Sequence, residues 1–194
     1  MDLLPVIPHT GIGDLTLGMS PDTIRSTLQR MCKRNFPQEQ TKPWTSKDLD
    51  TDGYTIRYFN DLALFIVRFC GERAVEISVN REIAPHACVA LYGMDVFRTE
   101  AEALVNHMRR FSPCMHDIED ERLSYEYFFP DVNIRLWREM VFHESLLLNK
   151  QYMSQMGHMI EEMRAYLYFD MVTVVEPTRA APHWNNFYRS PKIF

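Results

Sequence analysis

The chain has 194 residues, 46% hydrophobic, 12% aromatic and 24% charged, a composition that supports one folded core and excludes disorder of the body of the chain. Lysine and arginine number 21 against 26 acidic residues, so the formal charge is −5, a poor match to a nucleic-acid ligand and a better one to a basic partner. No apolar run reaches the roughly 18 residues of a membrane span, and 1–5 lack the cationic and apolar regions of a signal peptide, so a cytoplasmic protein without membrane contact is expected. Cys32, Cys70, Cys88 and Cys114 are scattered and form no CxxC pair.

Residues 5–10 read as extended, and Gly11-Ile12-Gly13 as a turn into a short strand. The pair of glycines is no dinucleotide fingerprint, since a third glycine is absent and Asp14 would repel a pyrophosphate. Ser20 and Pro21 are an N-cap and a first helical residue, and Ile24, Leu28 and Met31 form the apolar stripe of a helix ending near Arg34. Residues 37–53 read as a polar loop. Strands follow at 54–60, 62–69 and 73–80, joined by turns at Asn60-Asp61 and Gly71-Glu72.

The second half repeats this order. Leu91-Tyr92-Gly93-Met94 echoes Leu17-Gly18-Met19, and Thr99 with Glu102 reads as a capping box. Leu104, Val105, Met108 and Phe111 make the next stripe, followed by a polar loop from Cys114 to Arg122. Strands at 124–129 and 132–138 flank Pro130-Asp131. Ile134, Leu136 and Arg138 share one face of the second, with the Arg138 head expected to reach water from the strand end. An insertion at 146–165 reads as a helix with Tyr152, Met156, Ile160 and Met163 on one face, and 166–175 as the closing strand. The expected fold is α+β: one domain, 1–194, from a tandem duplication of a helix–β–β–β unit. The repeats span 11–80 and 91–175, with antiparallel sheets, helices on one face, and an irregular tail at 176–194.

Chemistry-bearing constellations are sparse. His86 and Cys88, and Cys114 and His116, are i, i+2 pairs whose side chains share a side on extended backbone. They carry the alternative readings of a zinc site or a thiol-dependent enzyme, although the spacing is that of no zinc module. His143-Glu144 lacks the second histidine of a helical zinc-protease motif, and Ser20, Ser124 and Ser145 lack nucleophile-elbow glycines. No catalytic residue, metal ligand or cofactor is therefore assigned. The acidic run Asp117, Glu119, Asp120, Glu121 and Glu126, with a counterpart in Asp48, Asp50 and Asp52, is the strongest surface feature and reads as solvent loops that attract a basic partner. Tyr127 and the tail's Trp184 and Phe187 are candidate aromatic anchors.

Gly11-Ile12-Gly13-Asp14-Leu15-Thr16-Leu17-Gly18-Met19-Ser20 resembles the N-terminal segment of small bacterial immunity-type proteins encoded beside secreted polymorphic toxins of contact-dependent inhibition. Gly93-Met94, the aromatic strand Tyr125-Glu126-Tyr127-Phe128-Phe129-Pro130 and Val132-Asn133-Ile134-Arg135-Leu136-Trp137-Arg138 extend the likeness to most of 11–175. The final strand, Phe169 to Glu176, departs from the glycine-rich ending of that group, as does the insertion. The resemblance implies a non-enzymatic protein that occludes a cognate toxin domain, in many cases a nuclease. The partner-binding residues expected are Asp117, Glu119, Asp120, Glu121, Glu126 and Trp184. A non-inhibitory assembly factor is the other alternative.

Overall fold

The computed structural model describes residues 2–35, 43–47, 53–59, 64–179 and 187–193. In chain order the elements are β1 (Asp2–Ile7), β2 (Gly11–Ile12), β3 (Leu15–Thr16), α1 (Pro21–Asn35), β4 (Trp44–Lys47), β5 (Gly53–Tyr58), β6 (Phe65–Cys70), β7 (Arg73–Asn80), β8 (Ala87–Leu91) and β9 (Met94–Asp95). There follow α2 (Ala101–Met108), β10 (Cys114–His116), β11 (Glu126–Phe129), β12 (Ile134–Trp137), α3 (Lys150–Met156), β13 (Met171–Val175) and β14 (Tyr188–Ser190). The fold is α+β with two sheets.

The larger sheet runs β14-β10-β11-β12-β13-β7-β6-β5-β4 and is antiparallel throughout. Its centre is the β13–β7 pair, with Thr173 opposite Ser78 and their hydroxyls 2.9 Å apart in the interior. The smaller sheet, β3-β2-β1-β8-β9, contains a parallel pair, β1 with β8, so the expectation of purely antiparallel sheets is corrected. Hydrogen bonds between Gly18 N and Ala74 O (2.8 Å) and between Ala74 N and Met19 O (2.9 Å) tie the segment before α1 to β7.

Local sequence explains these elements. A Cβ on Gly11 would sit 1.8 Å from the carbonyl oxygen of Leu15, so only glycine permits the β2–β3 turn. The Ser20 hydroxyl accepts from Thr23 N at 3.3 Å, capping α1 as its sequence position dictates. Ile24 and Leu28 of α1, and Leu104, Val105 and Met108 of α2, are buried in one cluster with Phe65, Val79, Tyr127, Leu136 and Val172. Both helices thus cover the same face of the large sheet. The opposite face carries Glu76, Arg68, Arg135 and Glu126. Arg68 Nη1 lies 3.1 Å from Glu76 Oε1, Arg135 Nη2 2.9 Å from Glu76 Oε2, and Arg135 Nε 3.6 Å from Glu126 Oε1.

Several expectations are corrected. Trp44–Lys47, within the expected loop 37–53, is an edge strand on β5, and Cys114–His116, within the second expected loop, pairs with β11. The tail is not wholly irregular, because Tyr188–Ser190 pairs with β10. Thr99 caps nothing: Glu100 occupies the N-cap position without a side-chain cap, and Glu102 bonds elsewhere. The insertion is not one helix; α3 ends at Met156, and a one-turn α-helix at Ile160–Met163 follows between 3-10 turns at Gly157–Met159 and Arg164–Leu167, with only Met163 of the named stripe fully buried. The closing strand is shorter than 166–175, starting at Met171. The turn at Asn60-Asp61 lies outside the described residues.

Candidate functional site

A cleft of about 290 Å³ opens beside α2, on the helix-covered side of the large sheet. Glu100, Glu102, Val105 and Asn106 line it from α2 and its start, Glu121 and Arg122 from a short turn, and Tyr127 from β11. Arg138, Phe142, His143 and Glu144 come from the segment after β12, and Leu167 from the turn Arg164–Leu167 before β13. Four carboxylates thus meet two guanidiniums.

The floor is built on Arg138, which is 2% exposed. Its Nε donates to Ser124 O at 2.9 Å, and its Nη2 donates to Arg122 O at 2.7 Å and to Tyr127 Oη at 3.1 Å. The guanidinium carbon lies 5.7 Å from the Tyr127 ring centroid and 5.9 Å from that of Phe169, and among the described residues it has no carboxylate within ion-pair distance. Burial pulls the Arg138 guanidinium below its usual range and pushes the Tyr127 phenol up. The expectation that the Arg138 head reaches water is therefore overturned: the chain just before β11 covers it and supplies the carbonyl acceptors of Arg122 and Ser124. Tyr127, 2% exposed, donates its hydroxyl to Glu121 O and is no surface anchor.

The acidic run is divided by the fold. Asp117 Oδ1 accepts from the amides of Tyr125 (3.0 Å) and Glu126 (3.2 Å), so it closes its loop, and the reading of Asp117 as a free solvent charge is corrected. Asp120 caps the turn Glu121–Leu123 and pairs with Arg122 at 2.9 Å; that side-chain bond holds its carboxyl below the usual range. Glu121 Oε2 pairs with Arg109 at 3.2 Å while its buried Oε1 has no hydrogen-bond partner. Glu126, adjacent to Tyr127 on an extended strand, projects to the opposite sheet face and joins Arg135. Glu119 is exposed and makes no ion pair among the described residues. Trp184 and the Asp48, Asp50 and Asp52 loop lie outside the described residues; Phe187 packs against the buried pair Phe128 and Val175.

The Cys/His pairs are not brought together, and among the described residues no three metal-ligating side chains cluster. Cys114 is fully buried, and burial, with Glu121 beside it, drives its thiol far above its usual range. His116 donates from Nδ1 to Ile118 O at 2.7 Å and faces the Ser190 hydroxyl at 3.1 Å, away from any nucleophilic role with Cys114.

At the mouth of the cleft the structure assembles a group that sequence reading missed. His143 Nδ1 accepts from Ser145 N at 3.0 Å and lies 2.7 Å from Ser145 Oγ. Because a backbone amide can only donate, Nδ1 is unprotonated, the ring proton sits on Nε2, and Nε2 donates to Glu102 Oε2 at 2.9 Å. His143 and Ser145 are neighbours in sequence, but Glu102 stands 41 positions away on α2, so only the fold joins them. Comparisons with protein-family models, with curated proteins and with solved structures found no match.

Proposed function

We propose that the chain is a protein-binding module of the immunity type, which neutralises a cognate, basic toxin domain by occluding it, and that the rim of the α2 cleft is its contact surface. The observation that carries the reading is the ring of exposed carboxylates Glu100, Glu102 and Glu144 around the cleft mouth. Leu148, 87% exposed at the end of the same short turn as Glu144, supplies an apolar contact beside them. A toxin that acts on nucleic acid carries a cationic groove, and carboxylates placed like phosphates both speed encounter and select such a groove. Of the acidic run, Glu121 lines the cleft, and Asp117 and Asp120 shape the loop that holds it.

We further infer that the two halves descend from one duplicated unit. Each half places a helix before four antiparallel strands, α1-β4-β5-β6-β7 and α2-β10-β11-β12-β13, and the two last strands pair at the sheet centre. The insertion that separates β12 from β13 belongs to the second half alone, so the two halves are unequal.

The test is co-expression with the C-terminal domain of a secreted toxin encoded next to this gene. The reading expects rescued growth and a one-to-one complex on gel filtration. A toxin domain that kills equally well with and without the chain contradicts it.

A further inference from the structure

The Glu102–His143–Ser145 group has the polarity of a nucleophilic relay. The carboxylate accepts the Nε2 proton at 2.9 Å, and the basic Nδ1 faces the serine hydroxyl at 2.7 Å. A local cap needs only the Ser145 amide, which the ring already receives at 3.0 Å. Neither the short contact to Oγ nor the carboxylate on the far nitrogen is required for capping. Both are required to orient a general base toward a hydroxyl. His143 is largely buried, its side chain 19% exposed, while Glu102 is 54% exposed, so the base is fixed between a surface carboxylate and the serine. Ser145 is half-buried and follows Glu144, whose side chain lines the cleft.

We propose that Ser145 is an activated nucleophile that takes the acyl group of a carboxylic ester. This goes beyond the binding function and does not depend on it. The Ser145 Oγ lone pair forms a bond to the acyl carbon as its proton passes to His143 Nδ1. The bond from that carbon to the alcohol oxygen breaks, and the alcohol leaves with the proton from His143. Water then attacks the acyl-serine, losing its proton to the same nitrogen, and the carboxylic acid leaves with Ser145 restored. Glu102 stabilises the imidazolium that forms in each step. The acidic groups that bear on His143 are Glu102 from α2, at 2.9 Å, and Asp120 from the neighbouring turn.

The experiment uses the full chain and a fluorophosphonate probe, with the tagged residue located by mass spectrometry and p-nitrophenyl acetate turnover followed in parallel. The expected result is one tag per chain on Ser145, formed faster as pH rises through the histidine range. Labelling should vanish in Ser145→Ala, fall on the order of 100-fold in His143→Gln, and fall by about 10-fold in Glu102→Gln. Far-UV circular dichroism establishes that each variant is folded, and Glu102→Gln, an exposed change, keeps the test intact if His143→Gln misfolds. An untagged Ser145, or a tag formed at the same rate in Glu102→Gln as in wild type, overturns the proposal.

Discussion

Arg138 donates to the Tyr127 hydroxyl at 3.1 Å, and both side chains are buried beneath the α2 cleft. A guanidinium in such a place, held by two carbonyls and a phenol, fixes the loop that carries Glu121 and Arg122 to the cleft. The site therefore rests on a charge inside the protein whose counterweight is dipoles.

Replacing Arg138 with Met keeps most of the volume and leaves Ser124 O, Arg122 O and Tyr127 Oη without their donor. Buried acceptors left unmatched cost about 3 kcal/mol in sum, so the urea midpoint should fall clearly. A variant as stable as wild type would show that the loop needs no such anchor.

Glu76 is the second anchor, between Arg68 and Arg135, with its side chain 12% exposed. Glu76→Gln leaves two guanidiniums facing each other and should cost about 2 kcal/mol. Adding Arg68→Met should recover part of that loss, because one of the opposed charges is removed. A double variant less stable than the single would contradict the account of this network.

The sequence made the periodic parts of this fold legible. Ile24, Leu28, Leu104 and Met108 face the core as their spacing requires, and Ile134 and Leu136 share a buried face while Trp137 is only partly covered. What escaped were elements whose pairing comes from distant chain. Trp44–Lys47 and Tyr188–Ser190 are short edge strands without alternation strong enough to mark them, and each is defined by its neighbour. Arg138 looked like a solvent-reaching strand end because nothing local says that the segments around Ser124 and Phe169 will cover it. Of the site, the charge of the acidic run was visible, but its division between two sheet faces, and the meeting of His143 with Glu102, depend on tertiary contacts.

Asp120 gives a pH signature. Its carboxyl is held low by the Arg122 side chain, so the unfolded chain takes up that proton first as pH falls. The stabilisation is complete above the ordinary Asp pKa of about 3.9 and is lost as pH drops through the lower folded value. The side chain is 37% exposed, so the effect is small. Asp120→Asn should flatten the decline in urea midpoint below about pH 4, and an unchanged acid limb would show that the pair contributes nothing in solution.

Cys114 should not react with a thiol reagent such as DTNB in the folded protein at mildly alkaline pH, since the thiol is buried and held protonated. It should react at once in denaturant. Fast modification of Cys114 in the native state would revive a thiol-based chemistry at β10.

The central claim is that the acidic cleft rim meets a basic partner, and association kinetics test it most directly. The rate at which the adjacent-gene toxin domain binds should be measured across a range of salt for wild type and for Glu100→Gln/Glu144→Gln, which leaves the Glu102–His143–Ser145 group untouched. The account predicts slower association of the variant at low salt, by about 10-fold, with the two rates converging as salt screens the rim. Equal rates at low salt, with the same salt dependence in both proteins, would contradict it.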